Sequence, residues 1–154
     1  MAGLANQARK GFFPKSPTAR LNPHKLKAST TFHAGDLVKL ETDVLDVLAA
    51  ADTGLIYGAI SHDIVTGAAG GEIGMIWDDP DEEFICSADG DISAVVPGQT
   101  IDMIGLTGAM QVDADAVAVD LLTVVSLSIN PYDVQTSAGA DLLVKITRSK
   151  HGLG

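Results

Sequence analysis

The sequence predicts an all-β protein, a small β-barrel or β-sandwich carrying an extended N-terminal arm. Three observations carry that expectation. From Gly35 onward, short β-branched and apolar runs alternate with Gly, Asp, Asn and Pro clusters, the pattern of short strands joined by turns. No long stretch sustains the 3.6-residue apolar period of a helix. Residues 1–34 follow neither period, and Pro14, Pro17 and Pro23 each disfavour helix at the residue before them.

The boundary is therefore expected at 34/35, with an arm over 1–34 and a β-rich body over 35–154. Along the arm, Phe12, Phe13, Leu21 and Leu26 are spaced apolar anchors. In the body, Leu37–Leu40 and Leu55–Ile60 read as the first strands. Ile73–Trp77 and Phe84–Ala88 flank Asp78-Asp79-Pro80-Asp81, where Pro presets φ and Asp side chains bond the backbone, so the two runs are expected to pair as a hairpin. Thr100–Leu106, Met110–Val112, Leu121–Ile129 and Leu142–Thr147 complete the expected strands. Val44–Ala51 and the Ala-rich 114–121 fit either a helix or a strand. Seven or eight such strands indicate a barrel or sandwich.

The chain has 154 residues, enough for one domain with its own core. It is 46% apolar and only 19% charged, with a mean hydropathy of +0.23. No apolar run approaches the ~20 residues that span a bilayer, and the polar, basic N-terminus does not resemble a signal peptide. The apolar excess is expected to face other subunits, as a homo-oligomer, most simply a trimer, contacting through the strands between Leu121 and Ile146. Cys86 is the single cysteine, so no intramolecular disulfide framework forms. Its setting in Phe84-Ile85-Cys86 suits a small buried hydrophobe.

Charge is divided unevenly. Arg9, Lys10, Lys15, Arg20, Lys25 and Lys27 are six of the ten basic residues, and no acid precedes Asp36. The arm thus carries +6, while the body sets four bases against twenty acids, a net of −16. A basic arm on an acidic body implies an acidic partner surface. The body would repel nucleic acid, and a membrane surface is not expected either. The residues expected to bind a partner are Arg9, Lys10, Phe12, Phe13, Lys15, Arg20, Leu21, Lys25 and Lys27.

No motif assembles chemistry. Ser61-His62-Asp63 has the residue types of a hydrolytic triad, but neighbours on an extended chain point to alternate sides. The Gly67–Gly74 stretch matches neither GxGxxG nor GxxxxGK[ST]. Asp78, Asp79, Asp81, Glu82 and Glu83 lack the order of a calcium loop. Asp113, Asp115 and Asp120 have no nucleophile or base beside them. His24, His33, His62 and His151 are too scattered for a helical metal site. The expectation is a non-enzyme with no cofactor and no metal.

Several segments resemble the small decoration, or cement, proteins of tailed-phage heads, of the β-barrel or β-tulip kind. Gly35-Asp36-Leu37-Val38-Lys39-Leu40 resembles the opening of that body, and Leu55–Asp63 its glycine-containing strand. Glu72–Trp77 with Glu83–Ala88 is similar to its central hairpin. Asn130-Pro131-Tyr132-Asp133 followed by Leu142–Ile146 is similar to its closing turn and last strand. The resemblance covers roughly 35–148 and leaves the arm outside. It implies a trimer made in the host cytoplasm, placed on the capsid outer surface, whose partners are the major capsid protein and copies of itself. Alternatives are another virion role (fibre base, minor coat or tail component) or a ligand-binding or hydrolytic oligomeric barrel. Arg148 is the only Arg beyond residue 20, which disfavours a multi-Arg phosphate clamp.

Overall fold

A computed structural model describes residues 9–50, 52, 55–115, 121–127 and 129–147. Among these residues there are strands and turns and no helix, so the chain is all-β. The strands are β1 (Phe13–Pro14), β2 (Leu21–Lys25), β3 (Thr31–Phe32), β4 (Leu37–Glu41) and β5 (Val44–Val47). They continue as β6 (Ile56–Ile60), β7 (Ile64–Val65), β8 (Ile73–Trp77) and β9 (Phe84–Ser87). The last four are β10 (Thr100–Ile104), β11 (Gln111–Asp113), β12 (Leu122–Ser126) and β13 (Asp141–Ile146).

They form antiparallel sheets of six strands (β1-β9-β13-β12-β10-β11), five strands (β2-β8-β6-β4-β5) and two strands (β3-β7). Single parallel bridges, Leu26 to Leu45 and Ala88 to Val112, tie strand ends together without closing a barrel. Of the two expected architectures, the sandwich-like one is found. Val44–Val47, ambiguous in the sequence, is a strand. Much of the Ala-rich 114–121 segment lies outside the described residues.

The expected hairpin does not form. β8 pairs with β2 and β6, whereas β9 pairs with β13 and β1 in the other sheet. The Asp78–Asp81 turn carries the chain between sheets. Asp78 is only 2% exposed because Arg20 and Asn22 both donate to its carboxylate, so the turn is fastened to β2 and not free to fold β9 back on β8.

Residues 9–34 are likewise not a separate arm. β1 extends the six-stranded sheet, β2 edges the five-stranded sheet, and β3 pairs with β7. Pro23 sits opposite Met75, whose carbonyl accepts from Ser61 N–H on the β6 side. Pro23 therefore occupies a non-hydrogen-bonded position, where its missing N–H removes no ladder bond. Proline here marked an edge strand and not a loop.

Two cores result. The larger fills the space between the sheets, joining Phe84, Cys86, Leu122, Val124, Leu142, Val144 and Ile146 to Leu37, Ile56 and Ala59 of the five-stranded sheet. The smaller lies on that sheet's other face and gathers Leu26, Phe32, Val38, Leu45, Ile60 and Ile76. Leu37 and Val38, adjacent on β4, enter different cores, as the two-residue period requires. A bulge at Val38/Lys39 opposite β6 lets both Ile56 and Ala59 reach the larger core. Gly58 stands in it, because a Cβ there would strike the Trp77 carbonyl.

Candidate functional site

The residues expected to grip a partner are for the most part engaged with this chain itself. Phe12 is 0% exposed and belongs to the larger core, fixed there because its N–H donates to the Gly35 carbonyl and its neighbour Gly11 N–H to Met110. It is not available to fill a pocket on another protein, and the expectation that it does is corrected. Phe13 packs edge-on against Trp77 at 6.1 Å between ring centroids. Leu21 is exposed at one end of β2, and Lys25 at the other end is exposed in an open depression lined by Pro23, His24, Asp43 and Ile73.

The bases follow the same logic. Arg9 Nη2 reaches Asp141 at 3.2 Å, and Lys15 reaches Glu83 at 3.5 Å. Arg20 Nε meets Asp78 at 2.9 Å, and Lys27 Nζ lies 3.1 Å from Asp46 and 3.3 Å from Glu41. Lys10 Nζ donates to Gln111 at 2.9 Å. The hydrogen bond to Asp78 raises the Arg20 pKa, and the bonds to Asp46 and then Glu41 raise that of Lys27. The +6 segment is complementary to its own −16 body, and the asymmetry serves as an internal zipper. Pairing across such a sequence separation leaves no local pattern, so only the charge totals were visible beforehand.

Ser61, His62 and Asp63 bond backbone and not one another. Strand β6 ends at Ile60: the Ser61 N–H still donates to the Met75 carbonyl, but the Met75 N–H is taken up by a side chain and not by a backbone carbonyl. Ser61 Oγ donates to the Met75 carbonyl at 2.9 Å, and Met75 N–H donates to His62 Nε2 at 3.1 Å. Asp63 Oδ1 accepts the Ala34 N–H at 2.7 Å. His62 thus replaces a ladder acceptor as the strand turns away, Ser61 adds a second donor to the Met75 carbonyl, and Asp63 fastens the turn to Ala34. Asp36 acts similarly: 1% exposed, it accepts from His33 N–H, Gly108 N–H and the Thr107 hydroxyl. His33 Nδ1 completes the cluster, 3.0 Å from Thr107 Oγ1. This cluster ties the turn before β4 to the β10–β11 turn, and nothing in the sequence placed Thr107 beside Asp36.

The other acids and glycines also have local employment. Asp81 N–H donates to Asp79 Oδ1, and Asp115 N–H to Asp113 Oδ1. Glu72 Oε1 accepts Gly67 N–H and closes the glycine-rich loop. Among the described residues no group of three or more His, Cys, Asp or Glu is placed to hold a metal ion. Cys86 is buried, and its thiol pKa is pushed well above the ordinary value by desolvation first and by Asp141 second.

What the surface offers is apolar. On the outer side of the six-stranded sheet, Ile85 and Leu143 are direct cross-strand partners. With Val125 and Ile129 they form a groove of about 400 Å³, rimmed by Lys15, Glu83 and Ser126. Elsewhere Tyr132 is 90% exposed, Leu106 79% and Val65 72%. Exposed apolar side chains at separate points of a surface are ordinary, so the groove is, among the described residues, the one feature with the shape of a contact or ligand site.

No protein-family model matches this chain, and no curated protein matches it.

Proposed function

We propose that this chain is a structural protein that acts by seating its β body against other protein subunits, and that its setting is the outer surface of a tailed-phage head. There it would bind the major capsid protein and stabilise contacts between neighbouring capsid subunits. The observation that carries the contact role is the apolar groove lined by the half-buried Ile85, Val125 and Ile129 and the buried Leu143, together with the exposed Tyr132, Leu106 and Val65. The phage-head setting rests on the resemblance of residues 35–148 to decoration proteins. The N-terminal segment enters this reading in a changed role: with Phe12 in the core and its bases paired internally, it stiffens the body. Fastening to the capsid falls to the sheet surface.

The test is to incubate the purified chain with expanded heads of the phage that encodes it and locate it by cryo-microscopy. Density on the outer surface, bridging capsid subunits and raising the temperature at which heads lose DNA, is the expected result. Absence of binding at micromolar concentration, or density at the tail, would overturn the head assignment.

A further inference from the structure

We propose that His62 is an acid-sensitive clamp: a proton on its Nε2 breaks the bond to the Met75 N–H and loosens the turn between β6 and β7 from β8. The clamp is independent of the contact role and of the phage-head setting.

Both ring nitrogens of His62 are committed, and in opposite senses. The Met75 N–H donates to Nε2 at 3.1 Å, so Nε2 presents a lone pair. Nδ1 lies 3.3 Å from the Asp63 carbonyl oxygen, which can only accept, so these two partners assign the ring proton to Nδ1. Only the neutral ring in this one tautomer satisfies both. An imidazolium carries N–H at both positions and would set one of them against the Met75 amide hydrogen. Solvent protons and the backbone amide therefore compete for a single lone pair.

The other two described histidines behave in the opposite way. His24 Nδ1 lies 3.2 Å from the Lys25 carbonyl. His33 Nδ1 lies 3.0 Å from Thr107 Oγ1, whose hydroxyl donates to Asp36. In both, the ring nitrogen is the donor, and an imidazolium donates as readily as a neutral ring. Among the described residues, His62 is thus the histidine whose hydrogen bond a proton abolishes.

The surroundings offer no replacement acceptor for an Nε2–H in place. Asp63 Oδ1, on the same turn, holds the Ala34 N–H, and Glu72 Oε1, just before β8, holds the Gly67 N–H. Asp36 serves His33 N–H, Gly108 N–H and the Thr107 hydroxyl. β3, β7 and β8 carry no titratable side chain, and Tyr57 of β6 packs on His24. His24 and Lys25 belong to β2, along the other edge of β8. A protonated His62 ring turns outward to water, which its half-buried position allows.

The release is local. Ser61 N–H and hydroxyl still donate to the Met75 carbonyl, and Asp63 still holds Ala34. β7 starts directly behind the turn and pairs with β3 over two residues, so this short sheet is the part that acid loosens while the two larger sheets keep their registers. The bond is complete where the ring is neutral, above the ordinary imidazole value of about 6.5, and is lost as pH falls through the histidine range.

The test is hydrogen exchange by NMR on the full chain from about pH 7.5 to about pH 5, each rate referred to the intrinsic rate at that pH, with the ring nitrogen shifts of His62 followed in parallel. At neutral pH the ring is expected to show a protonated Nδ1 and a bare Nε2. Met75 protection is expected to fall about fivefold as the ring titrates, the change that one lost hydrogen bond gives, while the Gly108 amide keeps its protection. His62→Gln and His62→Ala should both make Met75 protection independent of pH, the first through an acceptor that does not titrate and the second by having none. Met75 protection that stays flat in wild type would overturn the proposal, whether or not the ring titrates. A comparable fall in either variant would overturn it too, as would a neutral ring carrying its proton on Nε2.

Discussion

The larger core, between the sheets, gathers twenty-one buried side chains of the described residues, whereas the smaller one gathers six. The difference in size is matched by a difference in what surrounds them. The smaller core is ringed by side chains that bond backbone. Thr66 Oγ1 donates to the Lys27 carbonyl at 2.5 Å and accepts the Thr30 N–H, Ser61 and His62 hold Met75, and Lys27 joins Asp46 and Glu41. The larger core adds far more apolar area to its own polar clamps, among them Ser87 with Asp141 and Gln111 with the Ala88 carbonyl. Six side chains bury little area, so the polar clamps carry a larger share of the stability on this side. The N-terminal segment enters both, through Phe12 in one and Leu26 and Phe32 in the other.

The largest expected effect breaks the larger core. Phe12→Ala removes a fully buried ring and should lower the unfolding free energy by about 3–5 kcal/mol, measured as a shift of the urea midpoint at unchanged m. Were Phe12 a partner anchor, the isolated chain would be as stable without it. Asp36→Ala comes next, because it leaves His33 N–H, Gly108 N–H and the Thr107 hydroxyl without their shared acceptor. A loss of about 2–3 kcal/mol follows from orphaning buried donors, and it should appear in the same urea titration.

The smaller core should respond locally. His62→Ala removes the acceptor of the Met75 N–H, and about 1 kcal/mol is expected from one hydrogen bond. Hydrogen exchange should localise it: the Met75 amide exchanges faster, while amides of β12 and β13 keep their protection. Unchanged exchange at Met75 would leave His62 an idle surface residue.

These contrasts explain what could be read from the sequence. β4, β8, β9, β10 and β13 were legible because burial on one or both faces imposes apolar alternation and turn residues bound each run. β1, β2, β3 and β7 were not, since two-residue strands and a proline-bearing edge carry no period. Adjacency misled at Asp78–Asp81, where a good turn joins strands of different sheets because Arg20 and Asn22, 58 and 56 residues away, hold Asp78. The groove was half legible: the strands between Leu121 and Ile146 stood out as apolar, but Ile85 joins them only through the β9–β13 pairing.

Cys86 sharpens the comparison from inside the larger core. Its folded pKa is raised by burial, so above the ordinary thiol value of about 8.5 the unfolded chain ionises first and stability falls as pH rises. Below that value the group contributes no slope. By pH 9 the penalty is roughly 0.8 kcal/mol, and Cys86→Ala should remove this pH dependence while keeping its own constant cavity cost. A thiol reagent at pH 8 should label the native chain no faster than it unfolds. Rapid labelling would mean that this part of the core opens independently.

The smallest effect is expected at the rim of the other core, from Lys27. Its ammonium bridges Asp46 and Glu41, and those bonds raise its pKa. A raised lysine pKa contributes stability that is fully present below the ordinary value of about 10.4 and is lost as pH climbs through the folded value. Physiological pH therefore sees the whole contribution. The side chain is 43% exposed, however, so water and salt screen both contacts. Lys27→Met keeps an unbranched aliphatic side chain and deletes the charge. It should shift the melting temperature slightly downward at low salt and hardly at all in molar salt. Arg20→Met provides the contrast: its partner Asp78 is almost wholly buried, so losing that cation should destabilise more and should persist in salt. If both variants behaved alike, with small and fully screened effects, the bases of the N-terminal segment would not be an internal zipper. Their charge would then again be free for a partner.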